Sequence, residues 1–234
     1  PSEGDASGEG PGRPRSIKPE DQDRSFDYTS PTFGIIKSKE GIAVEALPSV
    51  SPESAEMIST VVDRLNISLP YTKVEQGVKV ISQAIQAVET GGETNPKTAT
   101  NPKSTATGYY QVISGTRQSA AKRLLKRMLD WYGEGNVPAW IEQAAQPMTK
   151  KEHQEFMGSL SKEAQETLFL ANIFESPGSD VIFQRIVDSN FQDDNAIADL
   201  YMEIHHTKPS AKLKRSFIKA LNEVKSILME EEME

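Results

Sequence analysis

The stretch YTKVEQGVKVISQAIQAVETGG, residues 71–92, decides the fold. Val74, Val78, Ile81, Ile85 and Val88 recur at steps of four, three, four and three. That spacing lines five apolar side chains along one face of an α-helix and leaves polar residues on the other. Thr72 with Glu75 has the spacing of a capping box and predicts the start of the helix. Gly91-Gly92 predicts its end, because glycine accepts the left-handed backbone that closes a helix. An amphipathic helix of this length needs partners for its apolar face, so a helical core is expected around it.

The neighbouring segments read the same way. Ser51-Pro52-Glu53 combines an N-cap, a first-turn proline and a first-turn acid, and predicts a helix to about Asn66, ended by Pro70. Residues 91–115 form a long polar loop with two Asn-Pro pairs, closing on GYYQVI, a short strand or a turn into the next helix. Helices are then expected at about 117–132 and 137–145. Thr149 with Glu152 is a second capping box and opens a helix to Met157. Ser161 with Glu163 opens another to about Phe174, broken by ESPGSD. Two more follow at about 180–190 and 195–206, and Pro209 starts a last one that runs into the acidic MEEEME tail. There is no internal repeat. The expected class is all-α, with room for one small β element between residues 95 and 113. The expected organisation is a polar, largely extended or disordered leader over 1–50, one helical domain over 51–229 and an acidic tail over 230–234. Within the leader, TFGIIKSKEGIAVEAL (32–47) is apolar enough to pack as an extended strap.

Composition narrows the function classes. A chain of 234 residues makes one or at most two domains. Apolar residues make up 36% and the mean hydropathy is −0.52, so part of the chain is expected outside the core. Twenty-six basic residues against thirty-four acidic ones give a net charge of −8, which argues against coating nucleic acid through the overall field. Without cysteine there is no disulfide scaffold, thiolate metal site or cysteine nucleophile. No apolar run is long enough to cross a bilayer. The chain starts at Pro1 with polar residues, which suggests a processed protein or a piece of a longer one. No phosphate-cradling loop and no nucleophile elbow is present, and no cofactor is implied.

The chemistry concentrates where the best helix meets the long loop. Glu89 lies one residue beyond Val88, about 100° round the helix from the buried stripe, at the edge of the core. Partial burial there would raise its pKa and suit a general acid. Read alone, Glu89 is an ordinary solvated glutamate at a helix end; its neighbours give it a sharper reading. Glu89-Thr90-Gly91-Gly92, then Asn95-Pro96 or its echo Asn101-Pro102, then Ala106-Thr107-Gly108-Tyr109-Tyr110-Gln111, resembles the signature of soluble lytic transglycosylases and goose-type lysozymes. In that family a helix ending in Glu-Ser-Gly-Gly is followed by Asn-Pro and by a Gly-containing turn that carries a glutamine. The likeness covers about 28 of the 234 residues.

The resemblance implies a lysozyme-like domain that cleaves the β-1,4 bond between N-acetylmuramic acid and N-acetylglucosamine in peptidoglycan. Glu89 matches the family's single catalytic acid, which protonates the glycosidic oxygen and then acts as a base. Glu93 is near in sequence, but the family does not use that position; the lack of an obvious second carboxylate favours attack by the muramyl 6-hydroxyl and a 1,6-anhydro product over hydrolysis. Thr90, Gly108, Tyr109, Tyr110 and Gln111 are expected to line the sugar cleft, with Gln111 bonding a sugar hydroxyl or N-acetyl group and Tyr109 or Tyr110 stacking on a ring. Either tyrosine could equally be core. The chain departs from the family in two places. Its loop is longer, and the later Ala-Tyr-Asn-Ala-Gly-Pro-Gly element survives only as Pro177-Gly178, with Ile173 where the tyrosine that orients the catalytic glutamate should stand. Either another tyrosine, such as Tyr201, takes that role or catalysis is weakened; Tyr201 is counted among the substrate residues. Glu175, near the same turn, is a candidate second carboxylate.

Other features read more plainly. His205-His206 lacks a third metal ligand, and adjacent helical residues do not face one way, so no metal site is expected. His153 lacks the spacing of a zinc helix. Arg117, Lys122, Arg123, Lys126 and Arg127 form one basic face, and Lys208, Lys212, Lys214, Arg215 and Lys219 another. Both read as solvated faces, or as non-specific contacts for DNA or anionic wall polymers. Trp131 and Trp140 read as core. The expected partners are glycan strands and other virion proteins, and the expected setting is a phage particle that opens the cell wall as DNA enters. A secreted bacterial enzyme with its export signal removed is the alternative setting. The alternative function is a virion structural or ejection protein that keeps the fold without the activity.

Overall fold

A computed structural model describes residues 35–37, 43–45, 50–90, 96–101, 104–206 and 210–231. Among these, nine α-helices follow in order: α1 (Pro52–Arg64), α2 (Tyr71–Thr90), α3 (Ser114–Tyr132), α4 (Ala139–Ala144), α5 (Lys150–Ser159), α6 (Lys162–Glu175), α7 (Ser179–Asp188), α8 (Asp194–Leu200) and α9 (Ala211–Glu231). The protein is all-α, as its periodicity predicts. A short antiparallel pair precedes the helices: β1 (Ile35–Lys37) faces β2 (Ala43–Glu45), with Ile36 opposite Val44. These strands fall where an extended strap was expected. The rest of the leader and the last three residues of the acidic tail lie outside the described residues.

The centre of the fold is α6. Every residue from Gln165 to Phe174 is buried, so this helix is enclosed on all sides, unlike the amphipathic helices around it. α3 and α1 both pack against α6, and α2 packs against α9. Ser51 caps α1, its hydroxyl accepting the Ser54 N–H at 3.1 Å. The hydroxyls of Ser51 and Ser54 each lie 2.9 Å from Thr167 Oγ1, which ties the start of α1 to α6. At the far end of α6, Glu175 bridges Arg64 of α1 at 3.2 Å and Arg127 of α3 at 3.1 Å.

Several expected boundaries hold. Thr149 and Glu152 form a reciprocal capping box at the start of α5, and Ser161 caps α6. Others move for visible reasons. α2 begins at Tyr71, directly after Pro70, so Thr72 lies inside the helix; Glu75 pairs with Lys79 at 2.8 Å instead of closing a capping box. α3 starts three residues earlier than expected. Its first turn buries Arg117, whose guanidinium donates to the carbonyls of Ala144 and Gln146. The last helix begins at Ala211, and Ser210 accepts the Leu213 N–H at 3.2 Å; Pro209 lies outside the described residues.

The first basic face is therefore not a free cation patch. Arg117 is core, Arg123 reaches Asn172 and Ser176 at 3.4 Å, and Arg127 pairs with Glu175, while Lys122 and Lys126 are exposed. On the second face Lys214 pairs with Asp199 at 2.5 Å, and Lys208 lies outside the described residues. Trp131 and Trp140 pack against the core. None of the described helices is long and apolar enough to cross a membrane.

Candidate active site

The small β element expected in the long loop is present as a tight turn. After a 3-10 turn at Pro96–Thr98, Thr107 bridges both Thr100 and Val112 in antiparallel fashion. Gly108 turns the chain with φ +85°, a conformation that costs a side-chain-bearing residue steric energy. A Cβ at this position would stand 2.0 Å from Gln165 Oε1, so there is also no room for one. Gln165 Oε1 instead accepts the Tyr109 N–H at 3.0 Å, and its Nε2 donates to Met157 O at 2.8 Å. This buried α6 glutamine anchors the turn.

Two of the turn's expected sugar contacts are redirected inward. Tyr110 is 1% exposed, and its ring stacks on Phe169 of α6 with centroids 4.5 Å apart, so it cannot offer a face to a ligand. Gln111, at φ +46°, donates its side-chain N–H groups to Ala99 O at 3.1 Å and Gly108 O at 3.0 Å. Its amide donors therefore hold the turn, and only its Oε1 remains for other work. Tyr109 is half-buried with Lys162 Nζ 5.6 Å above its ring, and is the tyrosine of the pair with a solvent-facing part. The Thr90 hydroxyl donates to Gln86 O at 2.8 Å within its own helix.

Glu89 is the focus of the site. Its side chain is 12% exposed, at the last turn of α2. Tyr201, fully buried, donates its hydroxyl to Glu89 Oε1 at 2.5 Å. Tyr201 is therefore not a sugar-contacting residue; it occupies the place of a side chain that orients Glu89. Two groups not expected there complete the cluster. His205 Nε2 lies 3.5 Å and His206 Nε2 3.1 Å from the same oxygen. The His206 approach lacks the alignment of a hydrogen bond, and His205 Nδ1 is buried with no hydrogen-bond partner among the described residues.

A π-helical turn at Tyr201–His205 makes this convergence possible. In an ordinary α-helix adjacent side chains diverge, which is why the two histidines read as unrelated in the sequence. Here α8 passes into a turn of i to i+5 pattern, a feature common at functional sites. Directly after it, His206 swings into extended backbone at φ −105° and ψ 132°. Asn172 of α6 supports the turn, donating to Ile204 O at 3.5 Å. The rings of Tyr201 and His205 stack 5.7 Å apart, Phe217 of α9 lies 4.6 Å from Tyr201, and Phe169 meets His205 edge-on at 5.6 Å. A continuous ring path therefore runs from Tyr110 in the turn through Phe169 to His205 beside Glu89.

The electrostatics differ from the expectation of a raised carboxyl. Burial does push the Glu89 pKa upward, but the contacts with His205 and His206 and the Tyr201 hydroxyl bond outweigh it and hold the carboxyl down, at about 2. Tyr201 responds in the opposite direction: burial and the adjacent carboxylate hold its hydroxyl protonated. Glu175 is not a second acid of this site, because Arg64 and Arg127 engage both of its oxygens. Among the described residues no cluster of side chains is arranged to hold a metal ion. A surface cavity of about 490 Å³ lies at α4 and α5, lined by Gln143, Gln146, Met148, Glu152 and Phe156, and does not include Glu89. The chain matches no family model, and neither a curated protein nor a solved structure matches it.

Proposed function

We propose that the chain cleaves the β-1,4 bond between N-acetylmuramic acid and N-acetylglucosamine in peptidoglycan, with Glu89 as the group that exchanges the proton. One observation carries this reading: a largely buried carboxylate at the junction of α2 and the long loop, fixed by the hydroxyl of Tyr201 from 112 residues away. A single, tightly oriented carboxylate suits a reaction in which one group protonates the leaving oxygen and then accepts the proton of the attacking hydroxyl. Among the described residues no second free carboxylate contacts Glu89, which supports internal attack by the muramyl 6-hydroxyl and a 1,6-anhydro end. The glycan would enter beside Tyr109, the solvent-facing tyrosine of the Gly108 turn. The resemblance of the Glu89 and Gly108 segments to lytic transglycosylases supports the substrate class and a role in opening the wall during phage DNA entry.

A second reading has its own observation. A carboxyl held near a pKa of 2 is ionised in the resting site at neutral pH and has no proton of its own to give. A virion structural or ejection protein that keeps the fold without the activity would tolerate that state. The deciding experiment is release of soluble muropeptides from purified insoluble peptidoglycan by the parent chain and by Glu89→Gln. Release by the parent alone supports the enzyme; release by neither supports the structural protein.

A further inference from the structure

The Glu89 site holds two imidazoles against one carboxylate oxygen, and the three groups differ in their access to water. The side chain of His205 is 5% exposed, that of Glu89 12% and that of His206 24%. Titratable groups that interact strongly exchange protons as one system rather than independently. We propose that Glu89, His205 and His206 form a single proton-holding unit, in which His206 carries protons between water and the buried Glu89 carboxylate. The inference rests on the enzyme reading for its catalytic use, but not for the existence of the unit.

Among the described residues, the side chains packed against these groups are largely uncharged. From α2 the charged group in contact is Glu89 itself. From α6 the neighbours are Phe169 and Asn172, and from α9 the ring of Phe217 beside Tyr201. Tyr201 is the remaining titratable neighbour, and its hydroxyl stays protonated. Asp199, at the end of α8, is occupied by Lys214, and Glu203 on the π turn is exposed. The unit exchanges protons through its own members.

Its chemistry balances. As the C1–O4 bond breaks, O4 takes a proton from the Glu89 carboxyl, which the adjoining imidazolium has supplied. As the muramyl O6 forms its bond to C1, Glu89 takes the O6 proton and returns it to the imidazole. The unit ends with the proton count it began with. His206 acts through Glu89 and so positions a proton without touching the sugar.

Two measurements on the full chain test this. The first is an NMR titration of the histidine side-chain nitrogens in the parent and in Glu89→Gln. The His206 ring-nitrogen signals should respond to loss of the neighbouring anion; signals that titrate identically in the two proteins overturn the unit whether or not the chain is an enzyme. The second is muropeptide release by His206→Ala and His206→Gln, with folding checked by circular dichroism. A loss of roughly 100-fold, restored in part for His206→Ala by added imidazole, is expected. Full activity in both variants, or a loss that imidazole does not relieve, contradicts the relay. If the parent releases nothing, the enzyme reading fails and the titration alone decides the unit.

Discussion

Tyr201 and Glu89 are joined by a 2.5 Å hydrogen bond across 112 residues of sequence, with the phenol fully buried and the carboxylate nearly so. Bonds to a charged acceptor are worth about 1.5–3 kcal/mol, and a buried carboxylate that loses its donor suffers more than the bond alone. Tyr201→Phe keeps the ring against Phe217 and removes only the donor. It should lower stability by about 2 kcal/mol in urea denaturation and reduce peptidoglycan cleavage by roughly ten-fold or more.

The same cluster sets an acid limit on stability. The folded-state pKa of Glu89 is depressed from 4.5 to about 2, so its contribution is present above pH 4.5 and is lost as pH falls from there towards 2. In Glu89→Gln this acid-side loss should shrink. Urea midpoints between pH 2 and 6 check it: the gap between parent and variant should be widest above pH 5 and narrow towards pH 2.

Glu166 should behave in the opposite sense. It is 8% exposed on α6, and burial pushes its carboxyl pKa above 4.5 despite the nearby lysines Lys162 and Lys79. A raised carboxyl favours the fold at low pH and loses that contribution as pH rises through its folded-state value. Glu166→Gln removes the cost of burying the charge. Its melting temperature should gain on the parent at pH 8 relative to pH 4.5; a variant that loses stability equally at both pH values would contradict this.

Gly108 is required twice over, by its positive φ and by the 2.0 Å approach of Gln165 Oε1. Gly108→Ala should destabilise by about 2 kcal/mol or more, because strain and displacement of the Gln165 anchor add. Gln165→Ala should remove the clash but also the anchor, so the double variant should lose less than the sum of the singles. Denaturant midpoints of the three variants measure this.

Glu175 separates structural from chemical carboxylates. Its side chain is 14% exposed and bridges α1 to α3 through Arg64 and Arg127. Glu175→Gln should cost about 1 kcal/mol, since it leaves the partly buried Arg127 guanidinium short of an anion while Arg64 keeps Asp180 at 2.7 Å, and should leave muropeptide release per folded molecule unchanged.

What was legible in the sequence was local. The Val74–Val88 stripe, the Ser51 and Ser161 caps and the Thr149–Glu152 box each depend on residues within a few positions of one another, and the helices stand where they pointed. Glu89 was legible as the residue at the edge of that stripe. The rest of the site was not, because its partners are set by tertiary packing. Periodicity cannot tell which of Tyr109 and Tyr110 turns inward; the Phe169 ring on α6 decides it. The rule that adjacent helical residues diverge separated His205 from His206, but His206 lies just past the end of the π turn in extended backbone, where that rule does not apply. The expected rise in the Glu89 pKa counted burial and missed the imidazoles that burial brings with it. Arg117 read as a surface cation, yet the carbonyls of Ala144 and Gln146 draw it into the core.

The most direct test of the central claim is mass spectrometry of the fragments formed when purified peptidoglycan is incubated with the parent chain and, in parallel, with Glu89→Gln. Substitution by glutamine keeps the size of the side chain and removes its exchangeable proton. Muropeptides with 1,6-anhydro ends are expected from the parent and none from the variant. Equal amounts of glycan fragments from both proteins, or none from the parent, would contradict it.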